Sequence, residues 1–236
     1  FEPEADPAST PASPGHQPGH QTPQVLAHIA AIPSDEAIEV AAPRVQSWRL
    51  TVVESNGAVR ETFPRLRPAD LEGLGSAVAK FEANLRAIEV LDRIETENRS
   101  PDKDERMAMV RYTGWGSLPA AFNLEGKEPA WSARARQLQS LLSEADHESA
   151  RASVNNSHYT SLDVIDGLWA AVRRLGFTGG RVLEPAAGIG HFIGAMPEDL
   201  MAASQLTAVE IDRLSGRLLH ALYTPAGVTV HIVPFE

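Results

Sequence analysis

Cysteine is absent from the 236 residues, which excludes disulfides and thiolate metal sites and accords with a cytoplasmic protein. No run approaches the apolar length of a membrane span, and the first residues lack a basic-then-apolar signal, so no membrane contact is expected. Basic residues are scarce: 21 Lys and Arg face 31 Asp and Glu, for a net charge of −10. Residues 1–42 contain no Lys or Arg and account for six of those ten charges, so the remainder carries −4, and no basic stripe appears in it. A phosphate-cradling Gly-Lys-Ser/Thr is missing as well. His16, His20 and His28 have a spacing that fits no metal motif.

What is present divides into three parts. Residues 1–43 are rich in Pro, Ala, Ser, Gln and Gly without sustained periodicity, a composition that cannot bury enough apolar surface to offset ordering entropy; they read as a disordered linker. A chain that begins with a linker is expected to be a segment of a longer protein.

Residues 44–154 read as a mainly helical region with a small hairpin. Alternation over 48–54 and 59–63, around Ser55-Asn56-Gly57, predicts the hairpin. Val78, Phe81, Leu85, Ile88, Leu91 and Ile94 recur at helical spacing and predict a long helix from Ser76 to about Asn98. Ser100-Pro101 is read as the cap and first turn of a second helix ending near Tyr112. Helices over 129–142 and 144–154 follow, the latter with Ser143 and Asp146 placed like a capping box.

Residues 155–236 hold the chemistry. NNSHYTS (155–161) leads into a helix in which Thr160 and Asp163 have cap-box spacing, with Leu162, Ile165, Leu168, Trp169 and Val172 on one face and Gly176 ending it. RVLEPAAGIGHFIG (181–194) then reads as a buried strand, a small-residue loop and a helix beginning near Phe192. Gly188 and Gly190 remove two Cβ atoms where the backbone turns, so a ligand could approach the main chain. Pro185 fixes φ, and Ala186 and Ala187 keep the loop narrow. Glu184 decides the kind of ligand, because a carboxylate before the glycines repels a phosphate and suits a cation. S-adenosylmethionine carries an ammonium and a sulfonium and no phosphate. One βα unit later LTAVEI (206–211) reads as a buried strand ending in Glu210, a position suited to accepting from ribose hydroxyls in a Rossmann-like unit, with Ile211 placed to pack on adenine.

HYTS (158–161), LEPAAGIGHF (183–192) and VEID (209–212) resemble the first three cofactor motifs of adenine-specific DNA methyltransferases. RYTGWGSLPAAFN (111–123) resembles, more particularly, the large plasmid- and phage-borne proteins that join such a methylase to a superfamily 2 helicase. The resemblance spans roughly residues 81–236. It implies an α/β fold: the start of a Rossmann-like class I methyltransferase domain after a mainly helical region and a disordered linker. It further implies that Tyr159 and Thr160 close over the methionine end of the cofactor and that Glu236 lies near the adenine ring. The implied partners are DNA, gripped mainly by other parts of the parent protein, and a helicase domain in cis.

Other readings stand beside these. Tyr159 and Thr160 serve equally as cap and staple of the following helix, and the 112–122 stretch reads either as an aromatic plug or as a cap on the cofactor region. His158 is read as a hydrogen-bonded turn residue and His191 as a partly exposed helix-start residue without a catalytic role. The Asn-Pro-Pro-aromatic loop with which the family holds a flipped adenine is absent from these residues, so the chain is expected to be inactive alone. The alternative function is a non-catalytic methylase-like scaffold or DNA-protection module of a phage or conjugative element. A dinucleotide-dependent oxidoreductase is disfavoured by Glu184 and by the missing third glycine.

Overall fold

The computed structural model describes residues 50–53 and 59–235; the expected linker over 1–43, the Ser55-Asn56-Gly57 turn and Glu236 lie outside the described residues. The described residues form a mixed α/β arrangement of eight α-helices, an antiparallel hairpin and a three-stranded parallel sheet. β1 (Leu50–Val53) pairs with β2 (Val59–Thr62), Val53 opposite Val59, where the alternation placed a hairpin.

Helix α1 (Ala77–Thr96) starts where Ser76 accepts the Ala79 N–H at 3.1 Å. Of the predicted face it buries Phe81, Leu85, Ile88, Leu91 and Ile94, leaves Val78 in the first turn exposed, and adds one buried polar residue, Asn84. Helix α2 (Lys103–Met109) is shorter than its pattern suggested and is capped by Asp102, not Ser100. The Glu105 N–H donates to Asp102 Oδ1 at 2.8 Å and the Asp102 N–H to Glu105 Oε2 at 3.0 Å, a reciprocal box that fixes the start beyond Pro101. Helices α3 (Pro129–Leu141) and α4 (Glu144–Ser153) match their patterns. Ser143 caps α4 as expected, and the Asp146 carboxylate accepts the Ser143 hydroxyl at 2.8 Å together with Arg213 and Arg217, so the reciprocal bond to the Ser143 N–H expected of a capping box is not made.

Helix α5 (Leu162–Arg174) differs from the reading in two ways. Its first flanking residue is Ser161, so Thr160 sits one position too early to cap it. Leu162 and Ile165 are buried, whereas Leu168 is 46% exposed.

The parallel sheet runs β3 (Gly180–Glu184), β4 (Ser204–Val209), β5 (Thr229–His231), with Glu184 opposite Ala208 and Ala208 opposite Val230. β4 is buried as its apolar run requires. β3 is not: Leu183 is 43% exposed, because β3 has a neighbour on one side only among the described residues. The helix expected from Phe192 is two short ones, α6 (His191–Gly194) and α7 (Glu198–Ala202). Pro197 breaks them apart, since proline disfavours helical backbone at the residue before it.

Helix α8 (Arg213–Tyr223), between β4 and β5, joins the sheet to the front helices. Leu214, Leu218, Leu219 and Leu222 of α8 are fully buried. Arg217 ion-pairs with Asp92 and Glu95 of α1 and, at 2.8 Å, with Asp146 of α4. Among the described residues no helix is long and apolar enough to cross a membrane.

Candidate functional site

At the C-terminal ends of β3 and β4 lies a cleft of about 370 Å³. Parallel strands collect the start of each following loop at this end, so one end of the sheet gathers the variable side chains. The loop after β3 supplies Ala186 and Gly188, the end of β4 supplies Glu210, Ile211 and Asp212, and Tyr159 comes from the turn before α5. The opposite wall is α4, whose Ser149, Ala152, Ser153 and the nearby Asn156 are all small.

Glu210 is the pivot of this site. Its carboxylate is 8% exposed and accepts two backbone N–H groups, Gly188 at 2.6 Å through Oε2 and Asp212 at 2.8 Å through Oε1. Burial raises its pKa, and the bonds from Asp212 and Gly188 pull the other way. The glycine loop is pinned a second time where the Ala187 N–H donates to Val209 O at 3.0 Å. Asp212 caps α8 through the Ser215 N–H at 2.9 Å and accepts Ser149 Oγ at 2.7 Å, so the α4 wall is tied to the β4 wall.

The two glycines of the loop have different reasons to be glycine. Both hold positive φ, +55° at Gly188 and +86° at Gly190. A Cβ on Gly188 would meet the Tyr159 ring, 3.1 Å from Cε1, inside the cleft. A Cβ on Gly190 would stand 2.6 Å from Tyr223 Cε2 and 2.7 Å from Leu219 Cδ1. Gly190 is therefore buried against α8 and away from the cleft, a packing requirement in place of the ligand approach read from the sequence.

Of the remaining expected residues Tyr159 and Ile211 line the cleft, whereas Glu184, Pro185 and Thr160 do not. Glu184 is half-buried at the end of β3, with its pKa raised by burial and no hydrogen-bond or ion-pair partner among the described residues. Pro185 and Thr160 are exposed, and Ile211, 68% exposed, stands at the rim. Tyr159 is half-buried, its hydroxyl 3.4 Å from Ser215 Oγ and its acidity suppressed by burial. His191 corrects the reading of a partly exposed residue: it is buried, its Nε2 is 2.8 Å from Val110 O, and burial lowers its pKa. A neutral ring with Nε2–H donating to that carbonyl satisfies both observations.

The cleft lining contains two carboxylates and no Lys or Arg. Such a lining repels phosphate and accepts from hydroxyl and ammonium groups. Among the described residues no cluster of His, Asp and Glu could hold a metal ion. No protein-family model, no curated protein and no solved structure matches the chain.

The α4 wall is absent from the sequence reading, and Asp212 stood there only as the last residue of the VEID motif, without a role. A signal for the wall was there: Ser149, Ala152, Ser153 and Asn156 recur at i, i+3, i+4 and i+7, a stripe of small residues along one helical face.

Proposed function

We propose that the cleft binds S-adenosylmethionine and that the chain is the cofactor-binding part of an adenine-specific DNA methyltransferase, the sheet being the first part of a Rossmann-like domain. The observation that carries this reading is the cation-free cleft formed where Glu210 clasps Gly188 at the strand ends. Its volume of about 370 Å³ falls in the range of small-molecule sites.

The residues that line the cleft have work consistent with such a ligand. Glu210 has acceptor capacity left, since a carboxylate offers about four lone-pair sites and two are taken. That capacity suits ribose hydroxyls, with Ile211 an apolar face beside them. Glu184, a half-buried carboxylate without a partner, suits the ammonium or sulfonium. Gly188 and Ala186 leave the main chain open, and Tyr159 closes the cleft from the side. When bound, S-adenosylmethionine supplies a methyl group on a cationic sulfur, activated for transfer to a nucleophile. The residues of this chain bind and orient it; the resemblance assigns the grip on the flipped adenine to an Asn-Pro-Pro-aromatic loop that these 236 residues do not contain. The helicase and DNA partners belong to the parent protein under this proposal.

The test is calorimetric titration of the chain with S-adenosylmethionine beside Glu184→Gln and Glu210→Gln. Glu184 makes no hydrogen bond or ion pair among the described residues that its substitution would break, so Glu184→Gln should weaken binding by about tenfold without lowering the melting temperature. A folded wild-type chain that does not bind refutes the proposal and favours a non-catalytic scaffold. DNA adenine methylation by the purified chain would refute the division of labour.

A further inference from the structure

We infer that the Tyr112-Thr113-Gly114-Trp115-Gly116 segment and Asn84 form the seat that positions Tyr159 over the glycine loop of the cleft. The inference rests on the cofactor reading above and gives that site a set of positioning residues far from it in sequence. Asn84 lies in the middle of α1 and is completely buried, an unfavourable place for an amide unless both its ends are satisfied. Both are. Nδ2 donates to Gly114 O at 2.7 Å, and Oδ1 accepts the Thr113 N–H at 2.7 Å. One side chain thereby fixes the turn, which passes through φ +67° at Gly114.

The turn packs against the irregular 157–159 segment. A Cβ on Gly114 would collide with Ser157 Oγ and stand 2.7 Å from Tyr159 Cε2; one on Gly116 would collide with Ser157 O. The Tyr159 ring is thus held between two glycines, with Gly114 behind it and Gly188 in front, where a Cβ would be 3.1 Å from Cε1. Tyr112 and His191 meet its ring at 6.4 Å and 5.4 Å in edge-to-face geometry and close the remaining sides. Tyr159 is the one aromatic side chain among the cleft-lining residues. A displacement of the seat therefore moves Tyr159, and with it Ser157 of the lining, and changes the width of the cleft above Gly188. The two glycines and the asparagine are needed for the same reason: no larger or apolar side chain at those positions leaves the ring where it is.

The chain contains three tyrosines, so uniform fluorotyrosine labelling gives three resonances. In Gly114→Ala and in Asn84→Ala the Tyr159 resonance should move while that of Tyr223 stays, and affinity for S-adenosylmethionine should fall by about tenfold, the scale of one lost aromatic contact. The double variant Gly114→Ala/Tyr159→Ala should bind no more weakly than Tyr159→Ala alone, a non-additivity that a merely structural role does not produce. It removes the Tyr159 contact but leaves the new Cβ in collision with Ser157 Oγ, so Asn84→Ala, which adds no atom, carries the test where Gly114→Ala does not fold. Wild-type binding with full affinity in Gly114→Ala, or additive losses in the double variant, overturns the positioning inference alone. A folded wild-type chain that does not bind overturns the cofactor reading and the inference with it.

Discussion

Replacing each loop glycine by alanine separates the two jobs the loop performs. At Gly190 an alanine must hold φ +86°, which costs about 1–2 kcal/mol for a residue with a Cβ. The Cβ also meets Tyr223 at 2.6 Å and Leu219 at 2.7 Å, both buried in the packing of α8 and unable to retreat, and overpacking of that kind costs about 1–3 kcal/mol. The reduced freedom of the unfolded chain returns about 0.4–1 kcal/mol. Gly190→Ala is therefore expected to destabilise by about 2–4 kcal/mol, a loss of roughly 5–15 °C in melting temperature for a chain of this size. Gly188→Ala meets only the Tyr159 ring at 3.1 Å, on the open side of the cleft, and its cost is the backbone strain, about 1 kcal/mol. Thermal and urea denaturation followed by circular dichroism measure both. Equal melting temperatures for the two variants, or a Gly190→Ala shift within about 2 °C of wild type, would refute the assignment of Gly190 to packing.

Two further outcomes are expected. Arg217→Met leaves Asp92, Glu95 and Asp146 facing one another; breaking a buried pair costs about 3–5 kcal/mol, and the partial exposure of Asp92 and Glu95 reduces this to about 2–3 kcal/mol at pH 7. That loss should shrink at pH 4, because burial raises the pKa of Asp92 and its protonation removes one of the facing charges, and urea titrations at the two pH values decide it. Glu105, hydrogen-bonded by Arg99 at 2.5 and 2.7 Å, has its pKa pulled from 4.5 down to about 2. Because the folded value is the lower one, its contribution is complete above pH 4.5 and disappears as the pH falls toward 2. Glu105→Gln should flatten that part of the stability profile, and an unchanged acid limb would remove the Arg99 pairing as its source.

Elements with a regular period were legible in the sequence, because a repeated pattern samples the same environment many times. The apolar face of α1, the β4 run and the hairpin alternation are of this kind. Boundaries set by a single competing interaction were not: Asp102 displaced Ser100 as the α2 cap because Glu105 stood three residues later, and Pro197 cut the helix after β3. In the site, the carboxylates and Gly188 were readable because strand, turn and helix are contiguous there. The α4 wall, the burial of His191 and the Asn84 clamp were not, since each depends on residues at least 29 positions apart in the chain. Gly190 was assigned to the ligand because a positive φ looks the same in sequence whether a ligand or Tyr223 occupies the vacant side.

Arg217 has a consequence for how the molecule comes apart. It links α1 and α4 to the helix that crosses between β4 and β5, while Leu66 donates to Gly194 O at 2.7 Å and His191 reaches Val110 O. The helices before residue 155 and the sheet after it are thus not separable cooperative units. Calorimetry should record one transition for both, with equal van't Hoff and measured enthalpies. A protease that cuts between them should leave fragments that stay associated until that transition. Residues 155–235 expressed alone would present the buried leucines of α8 to water and should lack a cooperative transition of their own.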